Sequence, residues 1–166
     1  MAILPIRHFP VDPVLRQKAK RVHVITDSIQ RLIDDMIETM RQARGVGLAA
    51  PQVGEGLQVI VLQMPEEQPV AIINPEITEQ DGVQEVAEGC LSVPGYYGEI
   101  QRSASVTVKG LDRQGKKTKV KATGLLAEAL EHEIDHLNGK LYIDHVGDKS
   151  KLHKIEYPQI PEDMRN

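Results

Sequence analysis

The residues best suited to chemistry in this 166-residue chain are His132-Glu133-Ile134-Asp135-His136, joined by a lone cysteine, Cys90. On an α-helix, imidazoles four residues apart project from one face about one turn apart. Both can then reach a single ion while the glutamate addresses a water beside it. Laid on a wheel at about 100° per residue, Gly124 to Gly139 places Leu125, Leu126, Ala129, Leu130, Ile134 and Leu137 on one half. His132 and His136 fall either side of Leu125, whereas Glu128, Glu131, Asp135 and Asn138 fall on the other half. Both imidazoles therefore look inward, where a metal would satisfy them and an apolar core would not. Asp135 is expected to accept the second ring N–H of one histidine. Gly139 is expected to end the helix.

A hydrolytic site of this kind needs a third protein ligand and an open position for water. The extension HExxHxxGxxH fits through Gly139 and fails at Tyr142, where its last histidine would stand. Glu156 is the remaining downstream candidate, but Tyr157-Pro158 follows it, and proline discourages the helix that would present such a ligand. Upstream, Cys90 lies in Glu88-Gly89-Cys90-Leu91-Ser92, which reads as a turn into a short strand. Gly89 allows close backbone approach there, so a thiolate could be aimed at an ion. Cys90 is the expected third ligand. A zinc endopeptidase using Glu156, and a non-catalytic metal-stabilised module or thiol-based metal sensor, are the rival readings.

Three stretches, Gly45-Val46-Gly47-Leu48-Ala49-Ala50-Pro51-Gln52, Glu88-Gly89-Cys90-Leu91-Ser92 and His132-Glu133-Ile134-Asp135-His136-Leu137-Asn138-Gly139, resemble in order and spacing the three signature motifs of peptide deformylases. The resemblance extends over residues 3 to about 146. It departs at Glu131, where the family usually has glutamine, and at Tyr96-Tyr97, where some relatives have an arginine that helps hold substrate. It implies removal of the formyl group from the N-terminal formyl-methionine of nascent peptides, releasing formate. It also implies Glu133 as general base, with the Gln52 side-chain amide and the Leu91 backbone N–H as donors to the developing oxyanion. Val46 and Gly47 would offer an extended edge to the peptide backbone, which suits an enzyme accepting many sequences. Leu125 and Ala129 share the histidines' direction and would form the methionine pocket, with Val86 the matching upstream residue by resemblance. Glu88 and Gly89 border the same substrate site, and Arg102 is expected to pair with Glu88, whose charge two positions before a thiolate needs neutralising.

One thiolate and two imidazoles accept Zn, Fe, Co or Ni. The resemblance implies one divalent ion, ferrous iron in vivo, replaceable by other divalent ions. It also makes the ribosome near the exit tunnel a candidate partner, besides the formylated nascent peptides.

The elements that must position these groups show in the patterning. Ile29, Leu32, Ile33, Met36, Ile37 and Met40 recur at helical spacing over Ser28 to Arg44, with Gly45 as a C-cap. Strand-like runs occur at Leu57–Gln63, Val70–Asn74, Ala104–Lys109 and Lys117–Ala122. Strands and helices are segregated. The expected class is therefore α+β, with small antiparallel or mixed sheets around a central C-terminal helix carrying HExxH and an N-terminal amphipathic helix. One catalytic domain is expected over 1–166, with a core at about 3–146 and a tail or short helix at 147–166. The glycines of the first motif are not a nucleotide loop, because no Gly-Lys-Ser/Thr follows. Net charge −4, one Phe and no Trp argue against nucleic-acid binding. No stretch suits a membrane span and no Arg-rich leader or signal peptide precedes Ile3. A single thiol suits a reducing compartment, so the bacterial cytoplasm is expected, with a processed organellar form as the alternative.

Overall fold

A computed structural model describes residues 2–155 of the chain. Helix α1 (Asp27–Gln42) buries Ile29, Ile33, Met36, Ile37 and Met40 along one stripe. Thr26 caps its start, its side chain accepting the Ile29 N–H at 3.3 Å. Its end differs from the expectation of a Gly45 cap. The helix stops at Gln42, so the left-handed position falls on Arg44 (φ 58°). Bonds from Gly45 N–H to the Met40 carbonyl (2.9 Å) and from Arg44 N–H to the Arg41 carbonyl (3.1 Å) close a Schellman turn around that residue.

The chain then forms β1 (Gly47–Ala49), β2 (Val59–Leu62), β3 (Val70–Asp81), β4 (Gln84–Cys90), β5 (Val93–Arg102), β6 (Ser105–Leu111) and β7 (Lys117–Thr123), followed by α2 (Gly124–Leu137) and β8 (Leu152–Lys154). Five strands make an antiparallel sheet in the order β1-β2-β3-β6-β7, and three make a second in the order β4-β5-β8. The class is α+β. Strand β2 shows why the layers are arranged so. It is apolar and buried at every position, which requires cover on both faces. Val59 and Val61 pack with Ile33, Met36 and Met40 of α1, whereas Ile60 and Leu62 pack with Leu130, Ile134 and Leu137 of α2. Each fully buried aliphatic side chain here contributes about 1.5–3 kcal/mol relative to an exposed one. A third cluster of Val93, Ile100, Leu141 and Tyr142 lies under the smaller sheet.

Two segments differ from expectation. The β4–β5 hairpin was not apparent as strands, and Cys90 ends a strand instead of following a turn. Residues after Gly147 include a short 3-10 turn and β8, which pairs with β5 through Tyr96↔Lys154, Tyr97↔His153 and Gly98↔Leu152. Glu156 lies outside the described residues. Among them, no helix is long and apolar enough to cross a membrane.

Helix α2 ends at Leu137, capped by Asn138, and Gly139 follows at φ 72°, where an added Cβ would lie 2.6 Å from the Arg16 carbonyl oxygen. Close approach at this point lets Arg16 grip the following turn. Its guanidinium meets Asp144 at 2.6 and 3.0 Å and lies 4.9 Å from the Phe9 ring centroid. Burial would raise the Asp144 carboxyl, but the hydrogen bonds from Arg16 and the Leu141 N–H outweigh it and hold the group below the usual aspartate range. A carboxyl depressed in the folded state adds stability above its unfolded value, and that stability is lost as pH falls through the folded value. Asp144→Asn should therefore lower Tm by about 2 °C at pH 7, as suits a half-exposed pair. The difference from wild type should shrink toward zero near pH 2 in thermal melts; a gap that widens on acidification would refute the assignment.

Candidate active site

Helix α2 brings the Nε2 atoms of His132 and His136 to 3.2 Å, and the end of β4 brings Cys90 Sγ to 3.3 Å from His136 Nε2. All three donor atoms lie within 4.8 Å of one another. Donors at about 2.1 Å (N) and 2.3 Å (S) from a tetrahedral ion would stand about 3.3–3.6 Å apart, so the spacing fits one metal ion. Burial pulls the His136 ring well below the ordinary imidazole value, which favours the neutral form a ligand needs. The donor set suits a borderline-soft divalent ion.

Glu88, on β4 and buried, accepts from His132 Nδ1 and thereby leaves Nε2 of that ring facing the other donors. Arg102, on β5, closes on the same carboxylate with Nε at 3.0 Å and a terminal nitrogen at 2.6 Å. Burial alone would raise the Glu88 carboxyl, yet the hydrogen bonds from His132 and Arg102 hold it down at about 2. The other terminal nitrogen of Arg102 reaches Asp135 at 2.7 Å, and His145 meets that carboxylate at 2.8 Å. Asp135 therefore does not serve a ligand histidine, contrary to expectation. Adjacent residues on a helix do not face each other, which separates it from His136, and Glu88 has already taken the His132 ring. Asp135 supports the site through Arg102.

Glu133 is buried beside the cluster, and its Oε1 has no hydrogen-bond partner among the described residues. Burial pushes its carboxyl up to about 7. Gly47 abuts it so closely that a Cβ there would lie 2.5 Å from Glu133 Oε2. Gln52 faces the cluster from the turn after β1. Its Oε1 accepts the Ala49 N–H at 3.0 Å, while Nε2 lies 3.6 Å from Cys90 Sγ and 3.2 Å from Ser92 Oγ. One end of the amide shapes the turn and the other faces the donors.

A cleft of about 470 Å³ opens onto these groups, lined by Val46, Gly47, Gln52, Glu88, Gly89, Cys90, Leu91, Leu125, Ala129, His132 and Glu133 among others. Most residues singled out from the sequence thus converge. Val86 does not line the cleft: it lies two residues, about 7 Å, beyond Glu88 along β4. It packs instead with the cluster of Val93, Ile100 and Tyr142. The polar half of the wheel is also less exposed than expected. Glu131 is buried, accepting from Gln80 Nε2 at 2.7 Å, Ser103 N–H at 2.6 Å and Ser103 Oγ at 2.9 Å. Leu125, by contrast, is 46% exposed at the rim. Arg44, Glu128 and Ile155 line the cleft without having been singled out, and Tyr96, noted only as part of a departure from the family pattern, lines it too. For Glu128 a signal existed, since it stands four residues before His132 and so one turn away, beside that ring across the border between the two halves of the wheel. Ile155 carried no such signal. Its N–H bonds the Gly95 carbonyl at 2.8 Å only because β8 docks on β5.

The same arrangement of motifs and fold recurs in known proteins. The polypeptide deformylase family model matches residues 3–152. A peptide deformylase of Dehalococcoides mccartyi is 53% identical over 167 residues, 99% of this chain and 99% of that protein. One from Halothermothrix orenii is 55% identical over 147 residues, 88% of this chain and 95% of the relative. Among solved structures, the Legionella pneumophila peptide deformylase superposes with a TM-score of 0.86 at 48% identity, covering 90% of this chain and 89% of the other. The Ehrlichia chaffeensis enzyme in complex with actinonin gives 0.87 at 38% identity, covering 91% and 92%. With its three motifs folded into one cleft, the chain belongs to the peptide deformylase family.

Proposed function

We propose that Cys90, His132 and His136 hold one divalent metal ion and that Glu133 moves the protons while a formyl group is removed from formyl-methionyl peptides. The observation that carries this reading is the convergence of the three donor atoms beside a buried carboxylate with an unpartnered oxygen. A bound divalent ion would supply Lewis acidity, making water a nucleophile near neutral pH and polarising the formyl carbonyl. Glu133 takes a proton from the attacking water as its oxygen bonds the formyl carbon. The same carboxyl then protonates the departing nitrogen, so the C–N bond breaks to formate and a free amine. As the carbonyl oxygen gains charge, Gln52 Nε2 and the Leu91 N–H would donate to it, each worth about a hundredfold or more in turnover.

Recognition uses backbone and pocket. Among the described residues strand β1 is a free edge of its sheet, so Gly47 and the adjoining Val46 can offer an extended edge to a peptide of any sequence. Leu125 and Ala129 supply apolar surface for the methionine side chain, beside Glu88 and Gly89 of β4. Ferrous iron is the metal in vivo, with zinc, nickel or cobalt as substitutes. The bacterial cytoplasm is the compartment, where formylated nascent peptides emerge at the ribosome.

Three outcomes test this reading. Release of formate from a formyl-methionyl peptide should fall about a thousandfold in Glu133→Gln with metal content unchanged, whereas Cys90→Ser should lose both metal and activity. Full turnover in either variant would sink the assignment. Arg102→Ala should weaken metal affinity about 10–100-fold in a chelator competition; unaltered affinity and activity would remove Arg102 from the supporting network. Enzyme loaded with iron should lose activity in air while nickel-loaded enzyme keeps it, and equal air stability of the two forms would count against iron.

A further inference from the structure

The cleft has a polar end that the chemistry above does not use. Arg44 lines it, exposed, and no ion-pair partner faces that guanidinium among the described residues. Its backbone is fixed in the left-handed position of the Schellman turn that ends α1. The side chain thus projects from a defined point and not from a wandering loop.

The strand that would receive the peptide sets a direction. Gly47 abuts Glu133, so the formyl end of a substrate lies at Gly47. Beyond Gly47, Leu48 and Ala49 are completely buried, and Gln52 closes that end. A peptide leaving the reacting centre must run the other way, past Val46 and Gly45 toward Arg44. Three residues of extended chain span about 10 Å, so the third residue of the substrate comes level with Arg44.

Other charges in the cleft do not compete at that point. Glu88 is bound by Arg102 and His132, and Glu133 faces the reacting centre. Glu128 stands on α2 between Leu125 and Ala129, at the methionine pocket, and burial together with Glu88 raises its carboxyl to about 7.

Resting on the deformylase reading above, we propose that Arg44 is a specificity-determining residue that favours formyl-methionyl peptides with an acidic side chain at the third position. The test is kcat/KM for formyl-Met-Ala-Asp and formyl-Met-Ala-Lys peptides of equal length, amidated at the C-terminus, each normalised to formyl-Met-Ala-Ala with the same protein. Wild type should favour aspartate over lysine about fivefold at low salt, the range of an exposed ion pair together with the matching repulsion. Arg44→Ala should bring the ratio close to one, and Arg44→Glu should invert it. About 0.5 M salt should shrink the wild-type preference. An aspartate-to-lysine ratio unchanged across the three proteins, or absent from wild type, overturns the proposal. Failure of wild type to release formate from any of the peptides would instead strike the deformylase reading itself.

Discussion

The buried carboxylate of Glu88 is the constraint on which the site's geometry depends. It belongs to β4, accepts from a ring nitrogen of α2 and is gripped by the guanidinium of β5. Each partner answers a need of the other. Arg102 neutralises a charge that would otherwise stand two residues from Cys90, and His132 gains a fixed ring orientation. Removing one partner of such a buried group typically costs about 3–5 kcal/mol, because an uncompensated charge remains. Helix periodicity can align two imidazoles, but it cannot bring a thiol from a separate sheet to 3.3 Å. The Glu88 junction spans that gap, and the second hand of Arg102 on Asp135 ties the strand to the helix again.

Behind the junction, the larger sheet acts as a partition. Alternation along β2 sends Val59 and Val61 to α1 and Ile60 and Leu62 to α2. The helix bearing the histidines is therefore held by aliphatic packing on one side and by a polar network on the other. A small residue decides how closely the Glu133 carboxylate meets the strand. At Gly47 even a methyl group would collide with Glu133, so the strand and the carboxylate meet this closely because a side chain is missing there.

Much of this was readable from the residues alone. Alternation marked β7, and residue type alone marked the lone cysteine. The i, i+4 histidines and the runs that became β2, the first half of β3 and β6 carried strong local signals, since their patterns report helix period or continuous burial. The β4–β5 hairpin did not, because Glu85, Ala87 and Gly89 are exposed while Glu88 and Arg102 are buried, so its polarity fails to mark the inner face. Glu131 misled for the same reason: its partners Gln80 and Ser103 come from distant segments. Arg44 and Asp135 turned on single-residue matters, where a helix stops and which of two acids reaches a ring first. Such choices belong to tertiary packing, which no local pattern reports.

Glu133 Oε1 has no hydrogen-bond partner among the described residues, and burial pushes its carboxyl up to about 7. Among the described residues no side chain donates to that oxygen, and Gln52 Nε2, on the same cleft, is directed to Ser92 and Cys90. A donor fixed to Glu133 would stabilise its charged form and draw its proton affinity down, away from the neutral range in which a group can both accept and return a proton. Leaving it unpartnered in a low-dielectric wall does the reverse. The aliphatic layers around β2 and the Glu88 junction are what let the structure tolerate that arrangement, so stability in the core and reactivity at the cleft are two sides of one balance.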